Sequence, residues 1–86
     1  MYTEPMNKGL TRDGNYYIYK GVRIFKRKNG FSYVYFSQLP HGGFANYDTY
    51  PDTLKNVVAK IDTMLNNYPM AEVKNFRLYI IKKGNN

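Results

Sequence analysis

Apolar and polar positions along this chain first follow the short period of strands and then the longer period of a helix. Asn15 to Lys20, Val22 to Lys28 and Phe31 to Phe36 are rich in Tyr, Ile, Val and Phe, and they are punctuated by Gly21 and by an Asn29-Gly30 pair. That composition and spacing predict three consecutive strands. Asn-Gly supplies the positive φ that both central residues of a type I′ loop require, so Gly21 to Phe36 predicts a β-hairpin turning at Asn29-Gly30. Ser37 to Gly43 is too dense in Gly and Pro to continue a strand and must reverse the chain. Phe44 to Tyr47 is long enough for one further short strand.

Leu54, Val57, Val58, Ile61 and Leu65 then recur at the i, i+3, i+4, i+7, i+11 spacing of one helical face. This predicts an amphipathic helix lying on the sheet, with Lys55, Lys60 and Asp62 on its wet side. Thr49-Tyr-Pro-Asp52 resembles a capping box at its start, and Asn66-Asn67 followed by Pro69 marks its end. Phe76 to Ile81 has strand composition and is expected to close one sheet edge. The predicted fold is α+β: an antiparallel sheet of three to five strands with one amphipathic helix packed on one face. Residues 1–14 show no period and are expected to form a flexible N-terminal arm, residues 15–82 a single α+β domain, and residues 83–86 a polar tail.

A two-residue loop at Asn29-Gly30 sets Lys28 opposite Phe31, Lys26 opposite Tyr33 and Ile24 opposite Tyr35, all on the side of Val22. Arg23, Phe25, Arg27, Ser32, Val34 and Phe36 share the other side. The helix stripe can cover only one of them. Covering Val22, Ile24, Tyr33 and Tyr35 leaves an arginine and aromatic surface; the opposite choice buries Phe25, Val34 and Phe36 and exposes Lys26, Lys28, Tyr33 and Tyr35. In both arrangements basic side chains stand two residues apart beside exposed rings. Basic residues on a strand also serve simply to block edge-to-edge pairing.

Charge gives this hairpin its functional interest. The 86-residue chain carries a formal net charge of +7, and four of its thirteen basic residues, Arg23, Lys26, Arg27 and Lys28, lie between Gly21 and Phe36 with five aromatic residues. No acidic residue occurs from Gly14 to Tyr47. A positive field of this kind favours polyanions. Ten tyrosines and no tryptophan suit a half-exposed sheet, a protein interface or a base-stacking platform alike.

Enzymatic constellations are not expected. There is no cysteine, and the lone His41 sits in a Pro-His-Gly-Gly loop with no second imidazole, so neither a thiolate nucleophile nor a histidine metal site can be built. Glu4, Asp13, Asp48, Asp52, Asp62 and Glu72 are scattered, with Asp52 assigned to the helix cap and Asp48 to a local turn or cap. No cofactor is expected. The cysteine-free composition and the lack of a long apolar run predict a cytoplasmic protein with no membrane association, as a monomer or weak dimer.

Lys20-Gly-Val-Arg-Ile24, Asn29-Gly-Phe-Ser-Tyr-Val-Tyr35 and Tyr47-Asp-Thr-Tyr-Pro-Asp-Thr-Leu-Lys-Asn-Val-Val-Ala-Lys-Ile-Asp62 together resemble DNA-binding modules built from a three-stranded sheet and a helix. These are the plant ethylene-response-factor type and the arm-binding domains of phage and transposon tyrosine recombinases. The similarity covers roughly Tyr19 to Leu65 and extends to small phage-encoded proteins of that shape. It implies a sheet face that enters the major groove of double-stranded DNA, with Arg23, Arg27 and Phe25 at the nucleic acid. Val34 and Phe36 stand where polar base-reading residues would be expected, which also suits a protein partner.

The sequence therefore predicts a small non-catalytic nucleic-acid-binding protein of phage or mobile-element type. Its expected contact residues are Arg23, Phe25, Lys26, Arg27, Lys28 and Phe36. The alternative is an accessory or inhibitor factor, for example anti-defence or anti-CRISPR, that uses the same face on an acidic protein surface of a host enzyme.

Overall fold

The computed structural model describes residues 9–14 and 16–82. Residues 1–8 of the expected arm, Asn15 and the tail over residues 83–86 lie outside the described residues. The rest of the arm expected over residues 1–14 is not loose, because Leu10–Asp13 pairs antiparallel with Tyr16–Tyr19 as an edge strand. In chain order the elements are β1 (Leu10–Asp13), β2 (Tyr16–Tyr19), β3 (Val22–Arg27), β4 (Gly30–Ser32), β5 (Val34–Gln38), β6 (Phe44–Asp48), α1 (Leu54–Asn67), β7 (Glu72–Lys74) and β8 (Arg77–Ile80). The fold is α+β with one helix, but the strands form two four-stranded sheets, ordered β1-β2-β3-β4 and β6-β5-β8-β7, where a single sheet of three to five strands was expected.

Tyr33 is the reason for the division. Phe31 to Phe36 reads as one strand, yet it changes neighbours at Tyr33: β4 pairs with β3, and β5 pairs with β6 and β8. The Thr49 hydroxyl accepts from the Tyr33 N–H and donates to the Tyr33 carbonyl, both at 3.1 Å, and the Thr49 N–H also donates to that carbonyl. A side chain thus replaces a ladder partner where the strand breaks, which leaves neither backbone group of a buried residue unsatisfied. Thr49 therefore does not begin a capping box. The helix N-cap is Thr53, whose side chain accepts from the Asn56 N–H, the ordinary role of a threonine at that position.

The tight turns also differ from expectation. Arg27 pairs with Gly30, so Lys28 and Asn29 form the loop, and Lys26 faces Phe31 instead of Tyr33. Each partner moves by two residues, so every side chain keeps the face predicted for it. The type I′ pattern, positive φ at both loop residues, appears instead at Lys20-Gly21 (φ 52° and 84°) and at Asn75-Phe76 (φ 53° and 62°). Gly30 is needed for another reason. Any Cβ there would stand 2.6 Å from the Asp52 carbonyl oxygen, because Phe31 and Asp52 exchange backbone hydrogen bonds of 2.7 and 2.9 Å along the free edge of β4.

Phe76 to Ile81 does not close an edge. β8 lies inside the second sheet, parallel to β5 and antiparallel to β7. A parallel neighbour needs a long crossover, and the chain makes it through β6 and α1. The helix stripe covers the Val22 side: Tyr19, Val22, Ile24 and Tyr33 join Leu78 and Ile80 against Val57, Val58 and Ile61 in the buried core. Arg23, Phe25, Arg27, Val34 and Phe36 are left on the outer side.

Candidate nucleic-acid interface

Strand alternation assembles the outer surface. Cross-strand pairs place Tyr16 beside Phe25 and Phe36 beside Tyr79, and the rings meet there. Tyr16 and Phe25 are edge-to-face at 5.3 Å, Phe36 and Tyr79 stack at 5.0 Å, and Phe44 meets Tyr79 edge-to-face at 5.3 Å. Guanidinium groups lie over these rings. Arg23 is 4.8 Å from the Tyr16 ring centre and 5.1 Å from that of Phe76; Arg27 is 5.0 Å from Phe25, and Arg77 is 6.0 Å from Phe36. Such contacts are worth about 0.5–1 kcal/mol at exposed sites, so they hold the arginines in place without neutralising them. A groove of about 460 Å³ runs between Arg23, Phe25, Val34, Phe36, Phe76 and Arg77.

The arginines are not equivalent. Arg27 donates through Nε to the buried Ser32 hydroxyl at 2.8 Å and pairs with Asp48 at 3.4 Å, so Asp48 at the end of β6 serves this ion pair and not a turn or cap. Among the described residues Arg23 has no carboxylate partner, and its Nε is buried without a hydrogen bond. Across the described residues, Asp48, Asp52, Asp62 and Glu72 each pair with a cation: Arg27, Lys60, Lys20 and Lys74. Arg12, Arg23, Lys26, Lys28, Lys55, Arg77 and Lys82 remain without an acidic partner among the described residues. Most of that uncompensated charge lies on the sheets.

The contact residues named from sequence are thus only partly brought together. Arg23, Phe25 and Arg27 share the outer face of β3, and Phe36 joins them from β5 across the groove. Lys26 points to the opposite side, its ammonium 5.4 Å from the Phe31 ring centre, and Lys28 is exposed at the hairpin loop. Tyr16, Phe76, Arg77 and Tyr79 complete the surface and were not anticipated. The alternation of Arg77 and Tyr79 with the buried Leu78 and Ile80 carries their facing, but nothing local marks β8 as the parallel neighbour of β5.

Ionisable groups on the helix side are held by structural contacts. Asp62 accepts from the Tyr19 hydroxyl at 3.0 Å and from Lys20 Nζ at 2.8 Å. Burial, then the bond to Asp62, pushes the Tyr19 phenol up, and the same carboxylate holds the Lys20 ammonium above its usual range. The Asn56 side chain, the Thr53 N–H and Lys60 hold the Asp52 carboxyl down. Burial pushes Tyr33 up to about 12. All four shifts lead away from neutrality, where a general acid or base operates. The described residues contain no group of three or more His, Cys, Asp or Glu side chains able to hold a metal ion.

No protein-family model, curated protein or solved structure matches the chain. Among the described residues no helix is long and apolar enough to cross a membrane.

Proposed function

We propose that this chain is a non-catalytic, cytoplasmic nucleic-acid-binding module of the kind carried by phages and mobile elements, with the outer face of its two sheets as the contact surface. The observation that carries the reading is the pair of arginines, Arg23 and Arg77, that flank an aromatic groove and have no acidic partner among the described residues. Uncompensated guanidinium groups suit phosphate oxygens, and exposed rings offer shape and stacking contacts. Arg27 contributes less charge because Asp48 already pairs with it. Lys28 extends the basic surface at the hairpin loop.

Fluorescence anisotropy with labelled oligonucleotides over a salt series tests this. Three to five phosphate contacts give a slope of log K against log[salt] of roughly −2 to −4. Arg23→Glu with Arg77→Glu should abolish binding while leaving the circular dichroism spectrum unchanged. Arg27 is the wrong choice for this test, since its removal also deprives the buried Ser32 of its partner. A flat salt response, or unchanged affinity in the double variant, removes the reading.

A second reading draws on the outer face of the second sheet, where Val34, Phe36, Phe44 and Tyr79 form a ring-rich surface. Aromatic and arginine side chains together are also the composition of protein-interface hot spots. An accessory or inhibitor factor acting on an acidic protein surface would bind nucleic acid weakly and give one stoichiometric partner on affinity capture.

A further inference from the structure

Phe76 occupies a position that its own backbone disfavours. It is the second residue of the two-residue loop between β7 and β8, with φ 62° following Asn75 at φ 53°. The equivalent place in the loop between β2 and β3 is filled by Gly21 at φ 84°. A left-handed conformation is ordinary for glycine and a genuine outlier for a bulky ring. Nor is the ring held in place by core packing, since Phe76 is 45% exposed.

The Arg23 guanidinium lies 5.1 Å from its ring centre. The Phe76 carbonyl accepts from the Arg23 N–H at 3.1 Å, so the loop is docked on β3 through its backbone whatever side chain it bears. Local strain kept at an exposed aromatic residue points to a use for the ring itself.

We infer that Phe76 is a stacking platform for an unpaired base, and hence that the nucleic acid recognised by the outer face is single-stranded. The inference builds on the nucleic-acid reading above and narrows it. Phe76 remains 45% exposed despite its contact with Arg23, which leaves surface for a stacked base. Arg23 and Arg77 line the same groove as Phe76, so both can neutralise phosphates of a strand whose base stacks there. Duplex DNA offers no free base face, and reading its base edges takes carboxamides, hydroxyls or guanidinium groups aimed at them. The centre of this surface offers rings with guanidinium groups 4.8–6.0 Å from their centres, a composition that suits stacking.

The experiment compares the intact chain with Phe76→Gly and Phe76→Tyr, using labelled 12-nucleotide single-stranded DNA, single-stranded RNA of the same sequence, and the DNA duplex. Thermal melting is recorded alongside. The expected result is tighter binding to one or both single strands than to the duplex, retained by Phe76→Tyr and weakened roughly 5- to 100-fold by Phe76→Gly. Phe76→Gly should melt no lower than the parent, because glycine relieves the left-handed strain. Equal or tighter binding to the duplex overturns this inference and leaves the nucleic-acid reading standing. Unchanged single-strand affinity in Phe76→Gly overturns the role of the ring. Binding to none of the three probes overturns both the inference and the reading beneath it.

Discussion

The two sides of β3 are made from alternate residues of one six-residue strand, yet they are held by different physics. Val22 and Ile24 are fully buried against α1 and β8, and their contribution is the removal of apolar surface from water. Arg23, Phe25 and Arg27 form a thin, half-exposed layer of guanidinium groups on rings. The inner side is specified by volume and the outer side by chemistry. A residue on the inner side can therefore be judged by what it costs in stability, and one on the outer side by what it costs in binding.

The sharpest test of that division is a cavity on the inner side. Ile61→Ala or Ile24→Ala should destabilise by about 2–5 kcal/mol, read from denaturant melts, with affinity per folded molecule unchanged. Gly30→Ala comes next. A Cβ 2.6 Å from the Asp52 carbonyl oxygen at φ 143° should cost about 2 kcal/mol or more and loosen the pairing of Phe31 with Asp52, seen as faster amide exchange at both.

Arg27→Ala blurs the division on purpose. It is an outer-face residue with a structural duty, and leaving the buried Ser32 hydroxyl unpaired should cost about 1–3 kcal/mol, whereas Arg23→Ala, already without a hydrogen bond at Nε, should cost less in the same melts. If the two variants melt alike, Arg27 has no special structural role.

The mildest test is titration. The folded state keeps the Tyr33 proton up to about 12, while the unfolded chain releases it near 10.0. Rising pH therefore favours the unfolded state, so the contribution of Tyr33 to stability should be complete below pH 10, decline between pH 10 and 12 and be gone above that range. Tyr33→Phe should reduce this step, leaving the part due to Tyr19, whose phenol is also pushed up, and in the parent chain both tyrosines should be missing from the early rise in phenolate absorbance.

Much of this was legible in the chain. The apolar stripe Leu54, Val57, Val58, Ile61 and Leu65 defines α1 because helical geometry converts spacing directly into a face. The alternation in Val22–Arg27 sorts β3 into two sides, and the sorting survived a displaced loop because the pairing moved by two residues and not one. Asn29-Gly30 was misleading for a definite reason. Glycine serves both turns and close approaches, and Gly30 answers to Asp52, twenty-two residues away in the chain.

The candidate surface was half legible. Arg23, Phe25, Arg27 and Phe36 could be named from alternation and charge, but Lys26 points elsewhere, and Phe76, Arg77 and Tyr79 arrive only because β8 lies parallel to β5. The sequence by itself determined α1, β2, β3 and the two sides of β3, since those follow from periodicity within a few residues, whereas β1 and β7, short and polar, carry no such period. The tertiary structure decided the break at Tyr33, the division into two sheets and the meeting of Arg23 with Phe76. Each of these depends on contacts between residues far apart in the chain, which no local pattern encodes.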